Sequence, residues 1–163
     1  MKPGERREGE REQAASGVRV AFELRDGTAS DLPEIRTLLA AAQLPFHDVE
    51  PGRQDFVVAT AGATLVGCVA LERFGDAALL RSLVVVPDRR GAGLGRALYE
   101  HIVARARAQG LRRLLLLTTS AAPFFRRRGF QPVERAAVPA AMAASAQFAG
   151  LCPSTAACLA QSL

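Results

Sequence analysis

Arg81–Leu98, RSLVVVPDRRGAGLGRAL, is the stretch that decides how this chain folds. The run Leu83–Val86 ends at Pro87, two arginines follow, and glycines alternate at Gly91, Gly93 and Gly95. Leu94, Leu98, Ile102 and Ala106 then recur at every fourth position. A β-branched run predicts a strand, and the fourfold recurrence predicts one face of a helix. A glycine-rich turn between the two is built for phosphate. Its backbone comes close, its N–H groups converge, and the helix N-terminus adds partial positive charge.

Two phosphate-binding loops fail on named residues. A triphosphate loop closes on Gly-Lys-Ser/Thr, whereas Gly95 is followed by Arg96 and Ala97. The dinucleotide fingerprint needs a third glycine where Arg96 stands, and an acid about 20 residues on, where this chain has leucines. What is left is R-x-x-G-x-G, Arg90 to Gly95, with Arg89, Arg90 and Arg96 as full charges. The plain alternative is a strand-to-helix turn whose glycines only relieve strain.

Working outward, DFVVAT, TLVGCVALERF and AALLRSLVVV read as a three-stranded meander with turns at AGA and Gly75–Asp76. Upstream, VRVAFEL reads as a strand. The next helix is capped by Ser30 or Asp31, holds Pro33 in its first turn, and buries Ile35, Leu38, Leu39 and Ala42. LPFHDVEPGR is loop. Downstream, Gly110 ends the glycine-loop helix and RRLLLLTT reads as a strand buried on both faces. Ser120 is placed to cap a short helix, AAPFFRRR, that closes at Gly129. FQPVER is a further strand, VPAAMAASAQF one more helix, and AACLAQ the last strand. The order describes a mixed α/β sheet flanked by helices, in a single domain over 18–163. Residues 1–17, with four basic and four acidic groups, read as a disordered charged tail.

A chain of 163 residues supports one core. No apolar run reaches the roughly 18 residues of a membrane span, and the N-terminus lacks a signal-peptide core, so the expected location is cytoplasmic. Cys68, Cys152 and Cys158 form no disulfide framework, and no Cys/His cluster has metal-ligand spacing. The net charge of +5 is unevenly placed: Arg81 to Arg128 holds eleven arginines against Asp88 and Glu100. That suits a polyanionic small ligand. A nucleic-acid module would interleave aromatics or show a recognition helix, and this chain does neither.

The glycine loop in its setting, with SAAPFFRRRGF downstream, resembles the GNAT superfamily of acetyl-CoA-dependent N-acetyltransferases, whose loop pattern is Q/R-x-x-G-x-G/A. The resemblance implies a mainly antiparallel sheet splayed around acetyl-CoA, between LLRSLVVV and RRLLLLTT. It implies that Leu83, Val84 and Val85 pair with the pantetheine arm, and that Arg90, Gly91, Ala92, Gly93, Leu94, Gly95 and Arg96 hold the pyrophosphate. The amide of Val84 would stabilise the developing oxyanion. Glu72 is the implied general base for the acceptor ammonium, its alternative being a solvated strand-end charge. Phe125 stands where the family usually has a tyrosine acid, and it would pack beside the thioester.

Arg81 and Ser82, with Thr118 and Thr119 opposite, are candidate substrate contacts, and an arginine there suits a carboxylate-bearing amine. Tyr99 lies off the apolar stripe of its helix, which suits a surface or packing role rather than catalysis. His47 lies in the loop before the sheet, and Arg126–Arg128 read as a solvated face. ERFGDAALLRSLVV, LLLTTSAAPFFRRRGF and the tail from Ala136 also resemble the arsenic-resistance N-acetyltransferases. That resemblance implies detoxification of an arsenic-containing or phosphinic glutamate analogue. A non-catalytic acyl-CoA sensor, a GNAT acting on an unrelated amine, and a homodimer stay open beside it. Cys152 and Cys158 are either arsenic contacts or small buried hydrophobes.

Overall fold

The computed structural model describes residues 21–163, so the expected charged tail and the start of the expected first strand lie outside it. Strand β1 (Glu23–Asp26) leads through a 3-10 turn, Ala29–Asp31, into helix α1 (Leu32–Ala41). Thr28 and Asp31 make the start reciprocal. The Thr28 N–H donates to Asp31 Oδ2 at 2.7 Å, and two nitrogens of Arg25 reach the same carboxylate at 2.8 and 2.9 Å. Those hydrogen bonds hold the Asp31 pKa far below the ordinary carboxylate range, against the upward push of burial.

The expected meander follows as β2 (Asp55–Ala61), β3 (Thr64–Phe74) and β4 (Ala77–Val85). Helix α2 (Leu94–Ala108) crosses over to β5 (Arg113–Thr118), then come α3 (Ala122–Arg126) and β6 (Gln131–Pro132). Helix α4 (Ala140–Ala143) and β7 (Ala157–Ser162) complete the chain. The seven strands form one sheet in the order β1-β2-β3-β4-β5-β7-β6. Among them only β4 and β5 run parallel, as a helical crossover requires.

Alternation along the strands gives the sheet two apolar faces. One carries Val69, Leu71, Leu80 and Leu114 and is covered by Leu98, Ile102 and Ala106 of α2. Tyr99 joins this core rather than standing outside it. Its ring packs edge-on against Phe124, Phe125 and Phe130, and its hydroxyl donates to Gln161 Oε1 at 3.0 Å. The other face is divided. Ile35 and Leu39 of α1 cover Phe56, Val58, Cys68 and Ala70, while Val138 and Met142 cover Leu79, Leu115 and Cys158. Between these two patches the face turns polar, and the candidate site borders it.

The alanine-rich segment is not the single helix expected. It holds one turn of α4 after Pro139, then a wide π-type turn over Gln147–Leu151. Met142 is its one large apolar anchor, and Gln147 turns inward to bury an amide, which an amphipathic helix would not do.

Candidate active site

The geometry begins where β4 and β5 part. They pair only from Ala77–Leu79 to Arg113–Leu115. Beyond that point β5 bonds to β7 on its other edge, with Leu116 opposite Leu159 and Thr118 opposite Ala157. Strand β4 meanwhile changes register against β3, from Ala70↔Arg81 to Cys68↔Val84. Ser82 absorbs the extra residue in the left-handed region at φ 60°, a conformation uncommon for a residue with a Cβ. The result is a cleft of about 740 Å³ walled by Leu80–Val85 on one side and Leu116–Ser120 on the other.

Backbone parity along this wall follows from one hydrogen bond. Val86 donates its N–H to the Val66 carbonyl at 3.0 Å, so the paired positions Cys68 and Val84 also exchange bonds with each other. The N–H of Val84 is therefore spent on β3, while Leu83 and Val85 turn theirs into the gap. The amide of Val84, the expected oxyanion donor, is thus paired to β3, and the amides left facing the gap are those of Leu83 and Val85.

At the end of β4 the chain makes a 3-10 turn, Pro87–Arg89, then passes Gly91 at φ 81° and Gly93 at φ 83° into α2. None of the six backbone N–H groups from Gly91 to Arg96 finds an acceptor among the described residues, and no side chain caps the helix. Six converging, unpaired amides at a helix N-terminus form an anion cradle. Gly95 sharpens the point. Its φ is not positive, and an added Cβ would meet only Val85 Cγ2 at 3.8 Å, so neither strain nor internal packing calls for glycine. Arg90 donates Nε to the Val85 carbonyl at 3.1 Å and joins the cradle to the cleft wall. Arg96 pairs with Glu100 at 2.8 Å on the open surface.

Phe125 lines the cleft from α3 and is buried. The start of α3 is tied by Thr118, whose Oγ1 accepts the Ala121 N–H at 2.9 Å, the part expected of Ser120. Thr118 and Thr119 both line the cleft, as Arg81 and Ser82 do opposite. Arg128 is not part of a solvated face: its guanidinium lies 3.6 Å from the Phe124 ring centre.

The polar strip beneath the cleft's other end was not legible in the sequence. Arg81, with a side chain 1% exposed, donates NH1 to Asp48 Oδ2 at 2.5 Å and NH2 to Asp48 Oδ1 at 2.7 Å. NH1 also lies 3.5 Å from Glu72 Oε1, and Nε donates to Ser82 Oγ at 3.1 Å. With its amide oriented to satisfy both sides, Gln147 accepts from Nε and NH2 at 3.1 and 3.2 Å. Gln54 ties the strip together, donating Nε2 to Glu72 Oε1 at 2.7 Å and to the Asp48 carbonyl at 3.1 Å. Burial pushes the Asp48 pKa up, but the Arg81 hydrogen bonds and charge outweigh it and leave it lowered. Glu72 is buried and does not line the cleft, so it is no solvated strand-end charge. His47, stacked on Phe46 at 4.2 Å, lines the cleft from the loop that carries Asp48.

Cys152 lines the cleft and Cys158 lines a separate pocket beside Arg135, so the two thiols do not face one space. Burial raises both thiol pKa values, and it pushes Cys68 up to about 12. Among the described residues no helix is long and apolar enough to cross a membrane.

Comparison with known proteins agrees with this geometry. Residues 52–132 match the family described as the acetyltransferase (GNAT) domain, and the seven-stranded mixed sheet with its flanking helices has the GNAT fold. It is similar to the amino-acid acetyltransferase of Pseudomonas fluorescens (strain Pf0-1), with 42% identity over 92 residues, 55% of this chain and 21% of the relative. Its likeness to the amino-acid acetyltransferase of Azotobacter vinelandii is 44% over 90 residues, 54% and 21%. The chain thus spans about a fifth of the length of these relatives. Among solved structures it resembles N-acetylglutamate synthase from Neisseria gonorrhoeae complexed with coenzyme A and N-acetyl-glutamate. There the TM-score is 0.74 at 25% identity, over 88% of this chain and 35% of that one. Rv2747 from Mycobacterium tuberculosis, in complex with CoA, gives a TM-score of 0.68 at 25% identity, over 86% and 99%.

Proposed function

We propose that this chain is an acetyl-CoA-dependent N-acetyltransferase that acts on the amine of a small, amino-acid-like acceptor. The observation that carries the reading is the cleft between β4 and β5, which ends on the six unpaired amides of Gly91–Arg96. A pantetheine arm has the shape and hydrogen-bonding pattern to add to β4 at Leu83 and Val85. The cradle, with Arg90 and Arg89 beside it, suits the pyrophosphate. The relatives' names and bound ligands point the same way.

Acetyl-CoA supplies a thioester whose carbonyl carbon takes the amine nitrogen, so that a C–N bond forms, the C–S bond breaks, and CoA leaves as thiolate. The amide of Leu83 or Val85 faces the charge that develops on the carbonyl oxygen. Phe125 offers no proton to the departing sulfur. A thiol pKa of about 8.5 makes a thiolate a tolerable leaving group, and solvent protonates it at the open cleft. The acceptor ammonium gives up its proton to water at the open cleft before attack, and the second proton released as the amide forms leaves by the same route. Glu72 lies behind Arg81, off the cleft wall, and serves to hold Arg81, while His47 brings an imidazole to the acceptor end.

The test is calorimetric titration of acetyl-CoA together with thiol release against a panel of amines. Tight binding with amine-dependent release supports the reading. Binding without release by any amine turns the chain into an acyl-CoA sensor. The arsenical or phosphinic glutamate analogue implied by the tail belongs in the same panel, at the finer level of the acceptor.

A further inference from the structure

The acceptor end of the cleft has a charge pattern that its sequence did not reveal. Two arginines, Arg81 and Arg90, and one histidine, His47, line the whole cleft among the described residues. Arg90 belongs to the phosphate end, where it bonds to the Val85 carbonyl beside the glycine loop. That leaves Arg81 as the one permanent cation within reach of an acceptor's carboxylates.

Arg81 is fully occupied. A guanidinium has five N–H groups. NH1 serves Asp48 and Glu72, NH2 serves Asp48 and Gln147, and Nε is shared by Ser82 and Gln147. Two carboxylates surround this single cation, so the buried Asp48–Arg81–Glu72 group carries a net negative charge. A second carboxylate on the acceptor, beyond the α-carboxylate that every amino acid carries, would find no free donor on Arg81 and would be repelled by the group as a whole. Arg53 acts on Asp48 from outside but pairs with Glu50 at 3.6 Å. Arg135 acts on Cys152 from the neighbouring pocket and gives its own nitrogen to the Pro153 and Ala156 carbonyls. Neither lines the cleft.

The neutral part of the wall is rich in donors and acceptors. Ser82, Thr119, Ser120 and the inward-turned Gln147 suit hydroxyl or amide groups, and Phe46 adds an apolar ring. We infer that the acceptor is an amine whose side chain is uncharged, such as an amide-bearing amino acid, and that a dicarboxylic amino acid such as glutamate is selected against. This rests on the acetyltransferase reading above and narrows its substrate class. Arg81 is then a specificity-determining residue because it is neutralised, not because it clamps a carboxylate.

Glutamine and glutamate are the natural probes, since they share a shape and differ by one charge. Steady-state thiol release at saturating acetyl-CoA gives kcat/KM for each, and calorimetry gives the affinity of each for the CoA-loaded protein. The expected result is a preference for glutamine of at least about tenfold in both measurements. Phosphinic and arsenical glutamate analogues should fall with glutamate. Asp48→Asn, which releases donors of Arg81 and removes one negative charge, should narrow the glutamine-to-glutamate ratio. If that variant does not fold, the wild-type comparison decides alone. Glutamate equal to or better than glutamine overturns the inference and leaves the acetyltransferase reading intact. Binding of acetyl-CoA with no thiol release by any amine removes both, and the two failures are thus distinct.

Discussion

Asp48→Ala is the most informative single substitution for the fold around the site. It removes both hydrogen bonds to Arg81, at 2.5 and 2.7 Å, and leaves a guanidinium that is 1% exposed. Breaking a buried ion pair from one side costs about 3–5 kcal/mol. Here Glu72 at 3.5 Å and Gln147 still face the cation, so the lower end, about 3 kcal/mol, is expected. For a domain of this size each kcal/mol moves the melting temperature by about 2–4 °C, which gives a fall of about 6–12 °C at pH 7. The pH dependence has a definite sign. Asp48 has a lowered folded pKa, so its contribution is complete above the unfolded value of about 3.9 and is lost as pH falls through the folded one. The gap between wild type and variant should therefore close in acid. Differential scanning calorimetry across pH measures both effects, with Glu50→Ala in the same loop as an exposed control. A melting temperature within about 2 °C of wild type at neutral pH would refute the claim that Asp48 neutralises a buried Arg81.

Four further outcomes are expected. Gly93→Val places a β-branched residue at φ 83° in the cradle and should weaken acetyl-CoA binding by about tenfold or more in calorimetry. Gly67→Ala brings a Cβ to 2.8 Å from the Val84 carbonyl oxygen and 3.1 Å from Leu98 Cδ1, which forces β3 from β4 at the bulge. A loss of about 1–3 kcal/mol by urea denaturation is expected. Glu72→Gln should lower stability while leaving the midpoint of the pH–rate profile in place, whereas a shifted acidic limb would restore Glu72 as the general base. Asp31→Asn should be destabilising at pH 7 and progressively less so below about pH 4, because the stabilisation by Arg25 and Thr28 is lost gradually between the unfolded pKa of Asp31 and its far lower folded one.

The glycine loop, the meander and the α2 stripe were legible because each is a local pattern. Arg81–Leu98 contains its own strand, turn and helix signals, and Leu98, Ile102 and Ala106 are buried where their spacing put them. The bulge was not legible, because it falls on Ser82 at φ 60° where a sequence reader looks for glycine. The buried strip was hidden for another reason. Asp48, Gln54, Glu72, Arg81 and Gln147 come from separate segments, and pairing is fixed only once loop, sheet and C-terminal turn meet. Arg81 was visible as a candidate but its partners were not, since a free arginine and a neutralised one have the same letter. Tyr99, one step off the apolar stripe, still faces inward because α3 packs over it.

The central claim is that the cleft moves an acetyl group from a thioester to nitrogen. Acetyl-CoA deuterated in its acetyl group, incubated with the protein and the whole panel of amines, glutamine and glutamate included, tests this directly when the products are read by mass spectrometry. The predicted result is an N-acetylated amine carrying the whole label, formed one for one with free CoA. Acetyl-CoA recovered intact while bound, or free CoA with label only in acetate, would contradict it.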